Sequence, residues 1–155
     1  MEEIKYCAFI GQKGITATYE LRKAITSQIL WHFEQGYNTF FFCSNGSFEN
    51  ACRSILKSVI PPDDTKSVYW VSEDLPKKHP NQPHFEDYDV ILPIPVSRSP
   101  HESVRAGNLA RLLACAGNSL VFCTEESADS EVYEAYEYAK TQSGKRVVNL
   151  YMQSK

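Results

Sequence analysis

Short, almost unbroken runs of apolar residues recur along this chain, each separated from the next by a stretch of quite different period. Five of them are Tyr6-Cys7-Ala8-Phe9-Ile10, Thr39-Phe40-Phe41-Phe42-Cys43, Ser67-Val68-Tyr69-Trp70-Val71, Leu120-Val121-Phe122-Cys123 and Val147-Val148-Asn149-Leu150-Tyr151. A sixth, Tyr88-Asp89-Val90-Ile91-Leu92, ends in Pro93 and Pro95. Continuous β-branched and aromatic runs of this length read as strands buried on both faces, the signature of a parallel sheet covered by helices. Between them lie helical stripes. Leu21, Ile25, Ile29, Leu30 and Phe33 form the first, closed by Gly36, and Ala51, Cys52, Ile55, Leu56 and Val59 form the second, stopped by Pro61-Pro62. Val104, Leu109, Leu112, Leu113 and Ala116 make a third, and Val132, Ala135, Tyr136 and Ala139 a fourth before Gly144. The alternation predicts an α/β fold: a three-layer Rossmann-like sandwich with a mostly parallel central sheet and right-handed crossovers.

Composition narrows the class. The chain has 155 residues, enough for one core, and neither low-complexity sequence nor a domain-sized linker interrupts it. A single domain over residues 1–155 is expected, with a long loop at about 72–87, where Pro76, Pro80 and Pro83 suppress helical spacing. Sixteen Lys+Arg against nineteen Asp+Glu give a net charge of -3, which disfavours general nucleic-acid binding. No run approaches the ~20 apolar residues that span a bilayer, and the acidic start of the chain does not resemble a targeting peptide. A cytoplasmic protein without a membrane partner is expected. Five cysteines, an odd number with no Cys-x-x-Cys, fit buried free thiols rather than disulfides or zinc. His79 and His84 lie in the proline-rich stretch, which offers no rigid scaffold for a metal, and neither metal nor cofactor is expected.

Ligands of open α/β sheets bind beyond the carboxyl ends of the strands, so the residues following each strand are the candidates. After the first strand come Gly11, Gln12 and Lys13; after the second come Ser44, Asn45, Gly46 and Ser47, then Phe48 and Glu49. Glycines permit close backbone approach, Lys13 adds a charge, and the serines and Asn45 supply donors at a helix start. The same residue types also serve ordinary turns and caps, and neither loop has a dinucleotide or Walker A fingerprint. Arg105, near Asn108 on the third helical stripe, has a guanidinium fork suited to a phosphate if that helix begins at the same rim. Glu49, Glu125, Glu126, Asp129 and Glu131 are candidate general bases by their closeness to strand ends.

Cys7-Ala8-Phe9-Ile10-Gly11, followed by Phe41-Phe42-Cys43-Ser44-Asn45-Gly46-Ser47-Phe48-Glu49, resembles the small bacterial proteins of the SLOG superfamily. That group includes the Lonely Guy phosphoribohydrolases and the YpsA-like and DprA proteins. Asn108, Ser127 at the start of the last loop, and the closing Gly144-Lys145-Arg146-Val147-Val148-Asn149-Leu150 extend the resemblance over roughly residues 5 to 151. The chain departs from the family pattern at Gln12, where His is common, at Gly107, where Arg precedes the Asn, and at Ala128-Asp129-Ser130, which replaces Gly-Gly-Thr.

The resemblance implies binding of a nucleotide or a nucleotide-derived, ADP-ribose-like ligand, without efficient catalysis because the phosphate-loop glycines are missing. The implied ligand residues are Gly11, Gln12, Lys13, Ser44, Asn45, Gly46, Ser47, Arg105, Asn108, Ser127 and Ser130. One alternative is a nucleoside-phosphate N-glycosidase with Glu49 as its acid. Another is an interaction module with a decayed pocket. That module would meet its partner through Trp70, His84, Phe85 and Tyr88, or form a homodimer or higher homo-oligomer through Tyr133, Tyr136 and Tyr138.

Overall fold

The computed structural model describes residues 5–12, 14–43, 46–61, 63–72, 88–94, 117–125, 131–142 and 144–151. Its strands are β1 (Tyr6–Gly11), β2 (Thr39–Phe42), β3 (Lys66–Ser72), β4 (Val90–Ile94), β5 (Ser119–Cys123) and β6 (Arg146–Asn149). Its helices are α1 (Tyr19–Glu34), α2 (Ser47–Val59) and α3 (Glu131–Lys140). All six strands join one sheet in the order β4-β3-β2-β1-β5-β6, every neighbouring pair parallel. This is the α/β Rossmann-like architecture that the apolar runs predict. The third helical stripe, at Val104–Ala116, and positions 73–87 of the expected loop lie outside the described residues.

Alternate residues of the central strands serve two cores. Cys7, Phe9, Phe40, Phe42 and Tyr69 pack with Leu21, Ile25 and Ile29 of α1 and with Phe48, Cys52 and Leu56 of α2. Ala8, Ile10, Phe41, Val68, Leu120 and Phe122 face the other way, onto Ala135, Tyr136 and Ala139 of α3. The period of two places one helical layer on each side. The steps from β1 through β3 run one way with α1 and α2 on one face, and the step from β5 to β6 runs the opposite way with α3 on the other. A single crossover hand requires that change of face.

Local chemistry sets the helix ends. Thr18 caps α1, its hydroxyl accepting from Leu21 N at 3.2 Å. At the far end Gly36 adopts φ 91°, Gly36 N donates to Phe33 O and Tyr37 N donates to His32 O. Together these form a Schellman motif, with Tyr37 stacked edge-on against His32 at 4.8 Å. The predicted glycine stop therefore stands. Strand β4, by contrast, continues through Pro93 rather than ending there. It lies at the sheet's edge, where a residue without an N–H is tolerated.

At the amino edge of the sheet the imidazole of His32 is fully buried. Its Nδ1 lies 2.6 Å from Gln28 O and its Nε2 2.6 Å from Ser119 Oγ. A carbonyl only accepts, so Nδ1 carries the proton and Nε2 accepts from the Ser119 hydroxyl. Burial lowers the His32 pKa to about 4, against a partly offsetting bond to Gln28. It is a core histidine, tying α1 to the first residue of β5.

Candidate binding site at the carboxyl edge

The strand order reverses between β1 and β5, and the chain leaves both strands on the same side of the sheet. That reversal opens the crevice in which sheets of this type hold ligands. Gln12 fills its floor. Its backbone N–H donates to Cys123 O at 3.0 Å, while its Oε1 accepts from Thr124 Oγ1 at 2.9 Å and Glu125 N at 2.8 Å. Asn149 continues the network from β6: its amide donates to Thr124 O at 2.8 Å and accepts Thr124 N at 3.1 Å. Tyr151 donates its hydroxyl to Glu125 Oε1 at 2.8 Å, and this bond raises the tyrosine pKa. The ends of β1, β5 and β6 are thus fixed by side-chain amides before any ligand arrives, which is how a rim is preorganised.

On the α2 side, Gly11 answers a different demand from the one expected of it. A Cβ there would lie 2.6 Å from Phe48 Cδ2 and 2.7 Å from Phe48 Cβ, so the glycine makes room for Phe48. Gly11 N donates to Glu49 Oε2 at 3.1 Å. Glu49 is itself fully buried, in the first turn of α2. Its charge adds to the burial that pushes the thiols of Cys43, Cys52 and Cys123 upward, the last to about 12. Cys7 is raised by burial as well, so all four thiols stay protonated and inert at neutral pH. Cys115 lies outside the described residues.

Beside this edge lies a cleft of about 630 Å³. One wall is the turn between β1 and α1, Gly14 to Ala17, with Arg22 from the first turn and a half of α1. The opposite wall is α2, through Ser47, Asn50, Arg53 and Ser54. Gly14 has φ 83°, a left-handed conformation natural to glycine, and it turns the chain toward α1. The guanidinium carbon of Arg53 stands over the ring of the buried Tyr88 at 5.7 Å.

Of the residues predicted to bind a ligand, Gly11, Gln12, Gly46 and Ser47 are placed at this edge, together with Glu49. Gly46 is the N-cap of α2, contributing no side-chain cap, and Ser47 reaches the cleft. Lys13, Ser44, Asn45, Arg105, Asn108, Ser127 and Ser130 lie outside the described residues. The aromatic residues assigned to a partner surface divide differently. Trp70, Tyr88 and Tyr136 are buried, while Tyr138 is 45% exposed; His84 and Phe85 lie outside the described residues. The sequence reading misses Arg22, Arg53, Asn149 and Tyr151. The last two are visible as polar interruptions of the final apolar run, whereas the arginines carry no local signal.

Among the described residues, no three His, Cys, Asp or Glu side chains form a metal-binding group. Nor is any helix among them long and apolar enough to cross a membrane. No family model matches the chain, and no curated protein matches it in sequence.

Proposed function

We propose that this chain binds a nucleotide-derived ligand at the carboxyl edge of its sheet and holds it without turning it over. The observation that carries this reading is the 630 Å³ cleft between the turn that leaves β1 and the first turns of α2, at the carboxyl edge of the sheet and beside the crevice where the strand order reverses. The volume suits a small organic molecule, and the lining includes polar residues, among them Thr16, Ser47, Asn50 and Arg22. The likeness of the Gly11 and Ser44–Glu49 segments to SLOG proteins supplies the ligand class. Binding is favoured over glycosidic cleavage because Glu49, the acid that cleavage would need, is fully buried and engaged with Gly11.

A thermal-shift panel of AMP, ADP-ribose, cyclic ADP-ribose, NAD and cyclic dinucleotides tests the reading. A ligand at 100 times its Kd adds about 2.7 kcal/mol of stability, which raises Tm by several degrees in a chain of this size. The expected result is a rise with at least one nucleotide and no release of free base during incubation. An unmoved Tm across the whole panel would refute the proposal, and base release would replace it with the glycosidase.

A further inference from the structure

We infer that Gln12 reads the ligand at the floor of the crevice: its Oε1 fastens the rim, and its Nε2 donates to an uncharged acceptor, a sugar hydroxyl or a base nitrogen, rather than to a phosphate. The inference rests on the binding reading above and adds to it a residue that recognises the ligand and the kind of group it meets.

The amide is divided between two tasks. Glu125 N can only donate, so the atom 2.8 Å from it is the amide oxygen, which also accepts from Thr124 Oγ1 at 2.9 Å. Nε2 is the other arm of the same amide, turned away from those two partners. It meets no acceptor among the described residues, and it is not one of the buried polar atoms left without a partner, so it is open to solvent. An oxygen alone would serve the floor. The amide adds a donor.

Position and rigidity make that donor useful. Gln12 N bonds Cys123 O at 3.0 Å, and the side chain bonds the two residues that follow, so Gln12 bridges the ends of β1 and β5, the pair at which the strand order reverses. A glutamine on an open surface samples many rotamers, and a ligand has to order it. Here two bonds through Oε1, one of them to the fully buried Thr124, set the side chain beforehand. A ligand therefore meets a fixed donor without the cost of ordering it.

Charge selects the partner. The Glu125 carboxylate, held by the Tyr151 hydroxyl at 2.8 Å, belongs to the residue whose N–H Gln12 accepts. Covalent reach therefore keeps it within roughly 10 Å of Nε2, about one Debye length. An anionic oxygen brought to Nε2 is repelled by that carboxylate, whereas a hydroxyl or a ring nitrogen is not. The floor thus suits the nucleoside part of a nucleotide and turns its phosphates elsewhere.

Calorimetric titration of the full chain tests this, with AMP, ADP-ribose, 2′-deoxy-AMP, 3′-deoxy-AMP and the 1-, 3- and 7-deaza analogues of AMP as probes. Gln12→Glu keeps an oxygen for Thr124 Oγ1 and Glu125 N but deletes the donor, and urea denaturation checks its fold. AMP should bind the variant about ten-fold more weakly than the parent. In the parent, one analogue should fall behind AMP by a similar factor, and that analogue should lose markedly less than AMP on passing to the variant. A deoxy analogue would identify the acceptor as a ribose hydroxyl, a deaza analogue as a ring nitrogen. The analogue series needs only the parent chain, so it decides even where the variant unfolds. If all analogues bind the parent as AMP does, or the variant weakens every probe equally or none, the role of Nε2 is overturned and the nucleotide reading stands. Binding of neither AMP nor ADP-ribose to the parent overturns both.

Discussion

The backbone N–H of Gly11 donates to Glu49 Oε2 at 3.1 Å, joining residues 38 positions apart. A glutamate at the third position of a helix commonly reaches back to its own N-cap N–H. Here the same side chain reaches across to the end of β1, so the first turn of α2 is fastened to the strand that flanks the crevice. Glu49 is therefore a positioning residue. Glu49→Ala deletes the acceptor and leaves a buried N–H unpaired, with an expected cost of about 1–3 kcal/mol. Glu49→Gln keeps an oxygen for Gly11 and should recover most of that loss in urea denaturation. It should also bind nucleotide as the parent does, whereas an acid that acts on ligand would lose its effect in both variants.

Phe48 sits against Gly11 so closely that no side chain fits between them. Gly11→Ala forces α2 away from β1, because the near atoms include Phe48 Cβ, which no rotamer change can move. Overpacking of this sort costs about 1–3 kcal/mol, and a midpoint shift in urea of that size is expected. The cleft wall formed by α2 should move too, so ligand affinity should fall more steeply than stability does. An alanine variant with the parent's midpoint would show that the helix shifts freely and that the glycine is dispensable.

How far the sequence alone reaches is visible in particular residues. Phe40, Phe41 and Phe42 announce a strand buried on both faces, because only such a strand has no polar side. The helix stop at Gly36 is legible for the same local reason: a left-handed residue is needed, and glycine supplies it. Arg22 and Arg53 are not legible in this way. They line one cleft only because α1 and α2 pack side by side on one face, and that relation belongs to the sheet order, not to either helix. Pro93 misleads in the opposite direction: a strand-breaker by local rule, it is harmless at an edge that only the topology defines. Trp70 and Tyr88, read as partner-facing aromatics, are interior, Trp70 packed against Phe41 and Tyr88 against Phe42 and Tyr69.

His32 makes stability depend on pH in a defined direction. Its pKa falls from the ordinary 6.5 to about 4 in the folded chain, so the unfolded chain binds the proton more readily between those values. The contribution is complete above pH 6.5, declines as pH falls toward 4, and is on the order of 3 kcal/mol in full. His32→Gln should flatten the slope of urea stability over that window relative to the parent, whatever the surface carboxylates add to both. Equal slopes in the two proteins would mean that the imidazole gains its proton without leaving the core.

Gln12 holds the crevice floor through a single oxygen that accepts from both Thr124 Oγ1 and Glu125 N. Gln12→Leu preserves bulk but removes that acceptor, leaving the Thr124 hydroxyl and the Glu125 N–H without it. Thr124 is fully buried, so the loss there is not repaired by water, and a cost of about 1–2 kcal/mol is expected. Because the Glu125–Tyr151 bond depends on where that backbone sits, the tyrosine should change as well. Its hydroxyl bond to Glu125 holds the phenol above its ordinary pKa, so in Gln12→Leu the Tyr151 titration, followed by ultraviolet absorbance against a Tyr151→Phe control, should move back down toward 10. A variant that loses stability while Tyr151 titrates as before would confine the role of Gln12 to Thr124, and the rim would then consist of two independent pairs rather than one connected network.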